Sequence, residues 1–228
     1  MKRSLIILHG ALGSQQQFAE WKNALSQNFE CCSFDFSGHG SRCEKDVEFS
    51  IELFSEELTS FITENKLNKP AVLGYSMGGY VALYTALRSE NVLGNIMTIA
   101  TKFDWNLESS KKEAGYLDPE IMQAKVPALA EQLKQRHGSH WEKVVKRTAA
   151  MMLHLGENPS ITTENIKTIQ NKIKFCVGDK DKMVSVTETQ AMYKNAINAS
   201  FCVLPATAHL PETMSVERIK FEAGEFMR

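Results

Sequence analysis

Gly74-Tyr75-Ser76-Met77-Gly78 constrains this chain more than any other stretch. The apolar residues 70–73 precede it and the helical pattern of residues 79–87 follows it. The order is therefore strand, tight turn carrying a serine, helix. Such a turn forces the serine into a strained backbone conformation, in which neighbouring side chains would clash. Glycine on both flanks relieves the clash and leaves the hydroxyl exposed at the carboxyl end of the strand.

A serine hydroxyl is a weak nucleophile and needs a base, usually histidine, oriented by a carboxylate. For a serine in this kind of turn the expected order along the chain is Ser, then Asp or Glu, then His. Downstream, the apolar residues 173–177 end in Gly178-Asp179-Lys180-Asp181. Residues 200–204 are followed by Pro205-Ala206-Thr207-Ala208-His209. Upstream, residues 5–8 run into the glycine-rich turn His9-Gly10-Ala11-Leu12-Gly13-Ser14. Each group sits just past a strand-like run, where open α/β sheets carry their sites.

The joint set resembles the α/β-hydrolase-fold superfamily. It comprises His9-Gly10-x-x-Gly13, Asp35-x-x-Gly38-His39-Gly40, Gly74-x-Ser76-x-Gly78-Gly79, Gly178-x-x-Asp181 and His209. The likeness is strongest to serine hydrolases of the carboxylesterase-like kind, with some resemblance to the menaquinone-pathway lyases (SHCHC synthases). It implies an α/β fold with helices on both faces of a mostly parallel sheet. The family's sheet opens with an antiparallel pair. The first strand-like run here answers to the strand after that pair, so a trimmed sheet of about six strands is expected.

Strand-like runs lie near residues 4–8, 30–35, 70–74, 95–100, 172–177 and 200–204, with helical patterns between them. Ser50 is placed to cap a helix whose apolar positions Ile51, Phe54, Leu58, Phe61 and Ile62 follow helical spacing. One interruption breaks the alternation. Residues 101–168 give helical sequence at 111–115, 119–120, 126–137, 141–155 and 163–169, punctuated by glycine and proline. A single domain over 1–228, with 101–168 inserted as a small helical cap, is the expected organisation. Segments inserted over a site commonly select substrate and exclude water.

The resemblance assigns roles. Ser76 is the expected nucleophile and His209, after the last strand, the expected base. Asp181 fits the Gly-x-x-Asp spacing, with Asp179 as the competing acid. The backbone N–H of Met77 is the expected first oxyanion donor. The second is expected from Ala11, with Leu12 as the alternative. Asp35 is read as a loop organiser, and His9 and His39 as residues that hydrogen-bond the backbone near the site. Leu12, Phe18, Phe103, Trp105 and Met151 are candidate substrate-binding residues, with Trp21 and Met152 beside them; plain core packing is the competing reading for each. His137 and His140 lack a third partner, so no metal is expected, and no cofactor.

Composition narrows the partners. The 228 residues carry a formal net charge of −1, which suggests neither nucleic acid nor an anionic membrane surface. No apolar run approaches the roughly 18 residues of a membrane span. Lys2 and Arg3 precede too short an apolar stretch for a secretory signal, so a cytoplasmic location is expected. The five cysteines are an odd number, and the set is read as reduced.

The expected function is cleavage of a small carboxylic ester or related acyl bond. Two alternatives stay open. Lyases of the menaquinone pathway usually carry arginine after the Gly-Gly pair, where this chain has Tyr80. A binding protein that has lost catalysis has less need of an intact Ser-Asp-His set. Oligomeric state is not readable from the sequence.

Overall fold

The computed structural model describes residues 2–227; Met1 and Arg228, the outer ends of the expected domain, lie outside the described residues. The alternation begins with β1 (Arg3–Leu8), α1 (Ala19–Leu25), β2 (Phe29–Ser33) and α2 (Ile51–Glu64). It continues through β3 (Ala71–Tyr75), α3 (Met77–Arg88) and β4 (Ile96–Ile99). Next come α4 (Leu107–Ala114), α5 (Pro119–Lys125), α6 (Pro127–His137) and α7 (Trp141–Glu157). The alternation then resumes with β5 (Ile173–Gly178), α8 (Val186–Asn195), β6 (Ala199–Leu204) and α9 (Val216–Phe226).

The six strands form one sheet in the order β2-β1-β3-β4-β5-β6, and every pairing is parallel. Parallel strands need crossovers, and the helices supply them on both faces. Alternation along β1 shows the division. Leu5 and Ile7 point to the cluster completed by Trp21 and Leu25 of α1 and Ile219 and Ala223 of α9. Ile6 and Leu8 point to the other face, with Phe54 and Leu58 of α2, Val81 of α3 and Met192 of α8. Because the sheet is apolar on both faces, its strands read as continuous apolar runs, which is why they were visible in the sequence.

α2 starts where its cap was expected: the Ser50 hydroxyl accepts from Leu53 N–H at 3.1 Å. The helical reading of 163–169 requires correction. Only a 3-10 turn, Ile166–Thr168, forms there. Thr162 N–H donates to the Asn165 side chain at 2.8 Å, and Asn165 N–H donates to the Thr162 hydroxyl at 3.2 Å. These reciprocal bonds form a capping box that starts a single turn, and the chain leaves it at Ile169, which is already extended at φ −73° and ψ 117°. Ile166 and Ile169 are instead spent on the core.

Between β4 and β5, the four helices α4–α7 include a small apolar cluster of their own, Met122, Ala130, Leu133, Trp141 and Val145. The cysteines are all free; Cys31 and Cys32 pack toward opposite faces of the sheet, and burial pushes the Cys32 thiol up to about 11. Among the described residues no helix is long and apolar enough to cross a membrane.

Candidate active site

β3 runs straight into Ser76, whose backbone sits at φ 49° and ψ −118° before α3 begins. A non-glycine residue there is strained, and it persists only where its surroundings hold it. Both polar backbone groups of Ser76 are tied to the end of β4. Its N–H donates to Ile99 O at 2.8 Å, and its carbonyl accepts from the Thr101 hydroxyl at 2.9 Å. The flanking glycines are sterically required. A Cβ on Gly74 would lie 2.5 Å from Gly79 Cα, and one on Gly78 would lie 2.6 Å from Leu8 O.

The loop after β5 brings Asp181 to His209. His209 Nδ1 lies 2.8 Å from Asp181 Oδ2, and the Asp181 side chain is wholly buried. Burial alone would raise the Asp181 pKa. The His209 ring and the N–H groups of Val184 and Met183 outweigh it and hold the carboxyl below its ordinary value. An ionised carboxylate only accepts, so His209 donates from Nδ1 and keeps the lone pair on Nε2. Asp179 is exposed, and its carboxylate instead accepts from Thr207 N–H at 3.1 Å. The His209 loop is anchored beside the serine: Tyr75 OH donates to His209 O at 2.9 Å.

The glycine-rich loop 9–14 is held from three sides. His9 donates from Nδ1 to Gly10 O at 2.8 Å and accepts Phe36 N–H on Nε2 at 3.1 Å. Asp35 accepts from Gln15 N–H at 2.7 Å and from Ser41 N–H at 2.9 Å, which organises two loops with one carboxylate. The third support comes from α6, where Arg136 and His137 both donate to Leu12 O at 2.9 Å. His137 also accepts Gly40 N–H at 3.0 Å. Its burial pushes the imidazole down to about 4, and burial likewise lowers His9 and His39. The three rings adjoin in series, with centroids 5.1 and 5.8 Å apart.

A narrow, mostly apolar cavity opens at the serine. Ser76, Met77 and Ala11 line it, together with Trp105, Met151 and Met152. Phe18 and Trp21 do not. They are buried in the cluster on the opposite face of the sheet, where Phe18 meets Trp21 edge-on and lies tilted against Tyr75. Phe103 is also core, packed against Tyr80 and Phe175. Leu12 packs between two apolar clusters and does not reach the lining. Lys102, Glu113 and Met183 do line the cavity and carried no signal in the sequence, and Tyr80, marked there only by the arginine it stands in for, lines it too. Nor did His137 stand out as a loop support: its two partners lie about 100 residues or more upstream.

A serine at a strained strand-to-helix turn, an Asp-His pair and a glycine loop thus lie at adjoining strand ends of one parallel sheet. Residues 3–139 match the family model described as the alpha/beta hydrolase fold, and the chain belongs to that family. Over 103 residues it is 31% identical to Protein PHYLLO, chloroplastic, of Arabidopsis thaliana, a match covering 42% of this chain and 6% of that one. Over 102 residues it is 30% identical to a putative 2-succinyl-6-hydroxy-2,4-cyclohexadiene-1-carboxylate synthase of Haemophilus influenzae, covering 42% of this chain and 38% of that one. The chain thus spans well under half the length of either relative. Among solved structures it resembles a thermophilic esterase from Thermogutta terrifontis, with a TM-score of 0.79 and 20% identity over 100% of this chain and 90% of that one. It also resembles MenH from S. aureus, with a TM-score of 0.77 and 18% identity over 98% of this chain and 92% of that one.

Proposed function

We propose that this protein is a serine hydrolase that cleaves a small carboxylic ester or related acyl bond. The observation that carries the reading is the Asp181–His209 pair, with the ring nitrogen away from Asp181 left basic, beside a serine held at the end of β3. Ser76 attacks the substrate carbonyl while His209 Nε2 takes its proton. Asp181 holds the imidazole in the required tautomer and stabilises the imidazolium. The N–H groups of Met77 and Ala11 receive the developing oxyanion, each worth roughly 3 kcal/mol of transition-state stabilisation. His209 returns the proton to the leaving alcohol, which breaks the ester and leaves an acyl-enzyme. Water, deprotonated by His209, then releases the acid and regenerates Ser76. Neither metal nor cofactor enters these steps. The helices α4–α7 act as a cap, since Lys102, Trp105, Glu113, Met151 and Met152 from that segment share the cavity with Ser76.

The test is hydrolysis of p-nitrophenyl acetate, butyrate and octanoate by the wild type and by Ser76→Ala. Saturable turnover that the substitution abolishes is expected, and turnover that survives it sinks the assignment. A lyase reading draws on the likeness to the Haemophilus influenzae synthase and to MenH. Weighing against it, the residue after Gly78-Gly79 is Tyr80, whose hydroxyl is engaged by Ile161 N–H at 2.9 Å, and the cavity's Lys102 faces Glu113. Such a wall suits a polyanion poorly.

A further inference from the structure

The cavity wall is mostly apolar, so its few polar groups are informative. The Tyr80 hydroxyl oxygen accepts Ile161 N–H at 2.9 Å, which leaves that group only its own proton to donate. Apart from Ser76, the remaining side-chain polarity belongs to Lys102, Trp105 and Glu113. The Lys102 side chain is 11% exposed and that of Glu113 is 8%, yet the two charges stand 3.9 Å apart, beyond hydrogen-bond reach. Lys102 Nζ donates to Met183 O at 3.3 Å and lies 5.7 Å from the centre of the Trp105 ring. Trp105 Nε1–H is buried and has no acceptor among the described residues. Buried polar groups are normally hydrogen-bonded, and a buried ion pair holds together only when further bonds satisfy it. This trio keeps spare donors on Lys102 and Trp105 and spare acceptor capacity on Glu113.

The charges select among ligands. A carboxylate drawn to Lys102 would meet Glu113. An ammonium drawn to Glu113 would meet Lys102. An alkyl group would leave all three unmatched. An uncharged group with both an acceptor and a donor fits each: its oxygen takes the Trp105 or Lys102 proton, and its own proton goes to Glu113. We infer that Lys102, Trp105 and Glu113 form a subsite for an uncharged donor–acceptor group, a carboxamide or a hydroxyl, on the acyl chain of the substrate; for turnover this rests on the serine hydrolase reading. Trp105 and the Lys102–Glu113 pair are thus specificity determinants.

The test compares acyl chains of two, three and four methylenes that end in a carboxamide, a carboxylate or an isopropyl group. Binding of their methyl esters to the Ser76→Ala protein is read by calorimetry, and wild-type hydrolysis of the matching p-nitrophenyl esters gives kcat/KM. At one chain length the carboxamide is expected to bind at least about tenfold tighter than both isosteres. Trp105→Phe keeps the ring and removes the N–H, and should shrink that preference. Glu113→Gln leaves Lys102 unopposed and should shift the preference to the carboxylate, a change that mere loss of packing does not produce. Equal or better binding of the isopropyl or carboxylate ester at every length overturns the subsite. So does a carboxamide preference that survives both substitutions unchanged, and so does failure of every ester to bind. A binding preference without wild-type turnover sustains the subsite and sinks the hydrolase reading; turnover without preference does the reverse.

Discussion

Two regions meet at Ser76 and are built on different principles. At the carboxyl edge of the sheet, backbone geometry sets the position of each group. Ser76 is pinned to β4, Asp181 follows the turn after β5, and loop 9–14 is tied by Gly13 N–H to Gly10 O at 3.1 Å. In α4–α7 the contributions are side chains whose places depend on how helices pack against one another and over the sheet. The edge tolerates almost no change of residue, whereas the helices tolerate changes that keep their volume. On the proposed function, chemistry belongs to the edge and selection to the helices, with one exception: Arg136 and His137 reach down from α6 to hold Leu12.

That contrast can be broken at several points. Ser76→Ala is expected to lower esterase kcat by more than about 10⁴-fold with binding retained, since the remaining site still binds and polarises the substrate. Asp181→Asn should cost about 10³- to 10⁴-fold in kcat, through loss of the correct His209 tautomer. Asp179→Asn should change kcat by less than about threefold. If the two aspartates exchange these effects, the assignment of the acid is wrong. Gly78→Ala places a Cβ 2.6 Å from Leu8 O, and urea unfolding should show a loss of about 3 kcal/mol.

Acid sharpens the comparison at the exception. His137 is held down to about 4, against 6.5 when unfolded, so below pH 6.5 the unfolded chain takes up a proton that the folded chain refuses. Its contribution is therefore lost as pH falls from 6.5 to about 4, and amounts to about 3 kcal/mol over that interval. His9 and His39, also lowered by burial, act in the same direction. Urea unfolding across this range should weaken steadily, and His137→Gln should flatten the slope. A modest effect is expected on the cap side. Met152→Ala should alter kcat/KM by less than about tenfold, and more for octanoate than for acetate. A far larger loss on acetate would mean that the cap takes part in the chemistry.

Legibility in the sequence followed the same division. Ser76 with its glycines, Asp181, His209 and the Ser50 cap were readable because local backbone demands dictated those residue types at fixed spacings. The inner strands were the most readable, β3 above all, because burial on both faces favours an unbroken apolar run, whereas the edge strands β2 and β6 are only partly buried. Phe18 was misread as a pocket residue because an aromatic near a site loop carries no mark of which sheet face it will join; the 3-10 turn before α1 places it on the far one. Lys102, in the segment after β4, meets Glu113 of α4 through a fold-back that no local sequence period marks. Residues 163–169 give only one turn because the chain is extended again by Ile169, on its way into β5, which an apolar period does not show.

The clamp on the Ser76 peptide carries a consequence for biosynthesis. Its two partners, Ile99 and Thr101, are translated only after β3 and α3 are complete, and Asp181 and His209 come far later still. Until β4 docks, the chain has nothing to hold a strained serine in place, and that residue relaxes into ordinary backbone. A nascent polypeptide therefore carries an inert hydroxyl through most of its synthesis. Reactivity arrives with long-range assembly rather than with the motif itself, so truncated or stalled products keep the Gly-x-Ser-x-Gly sequence but should escape labelling by serine-directed probes.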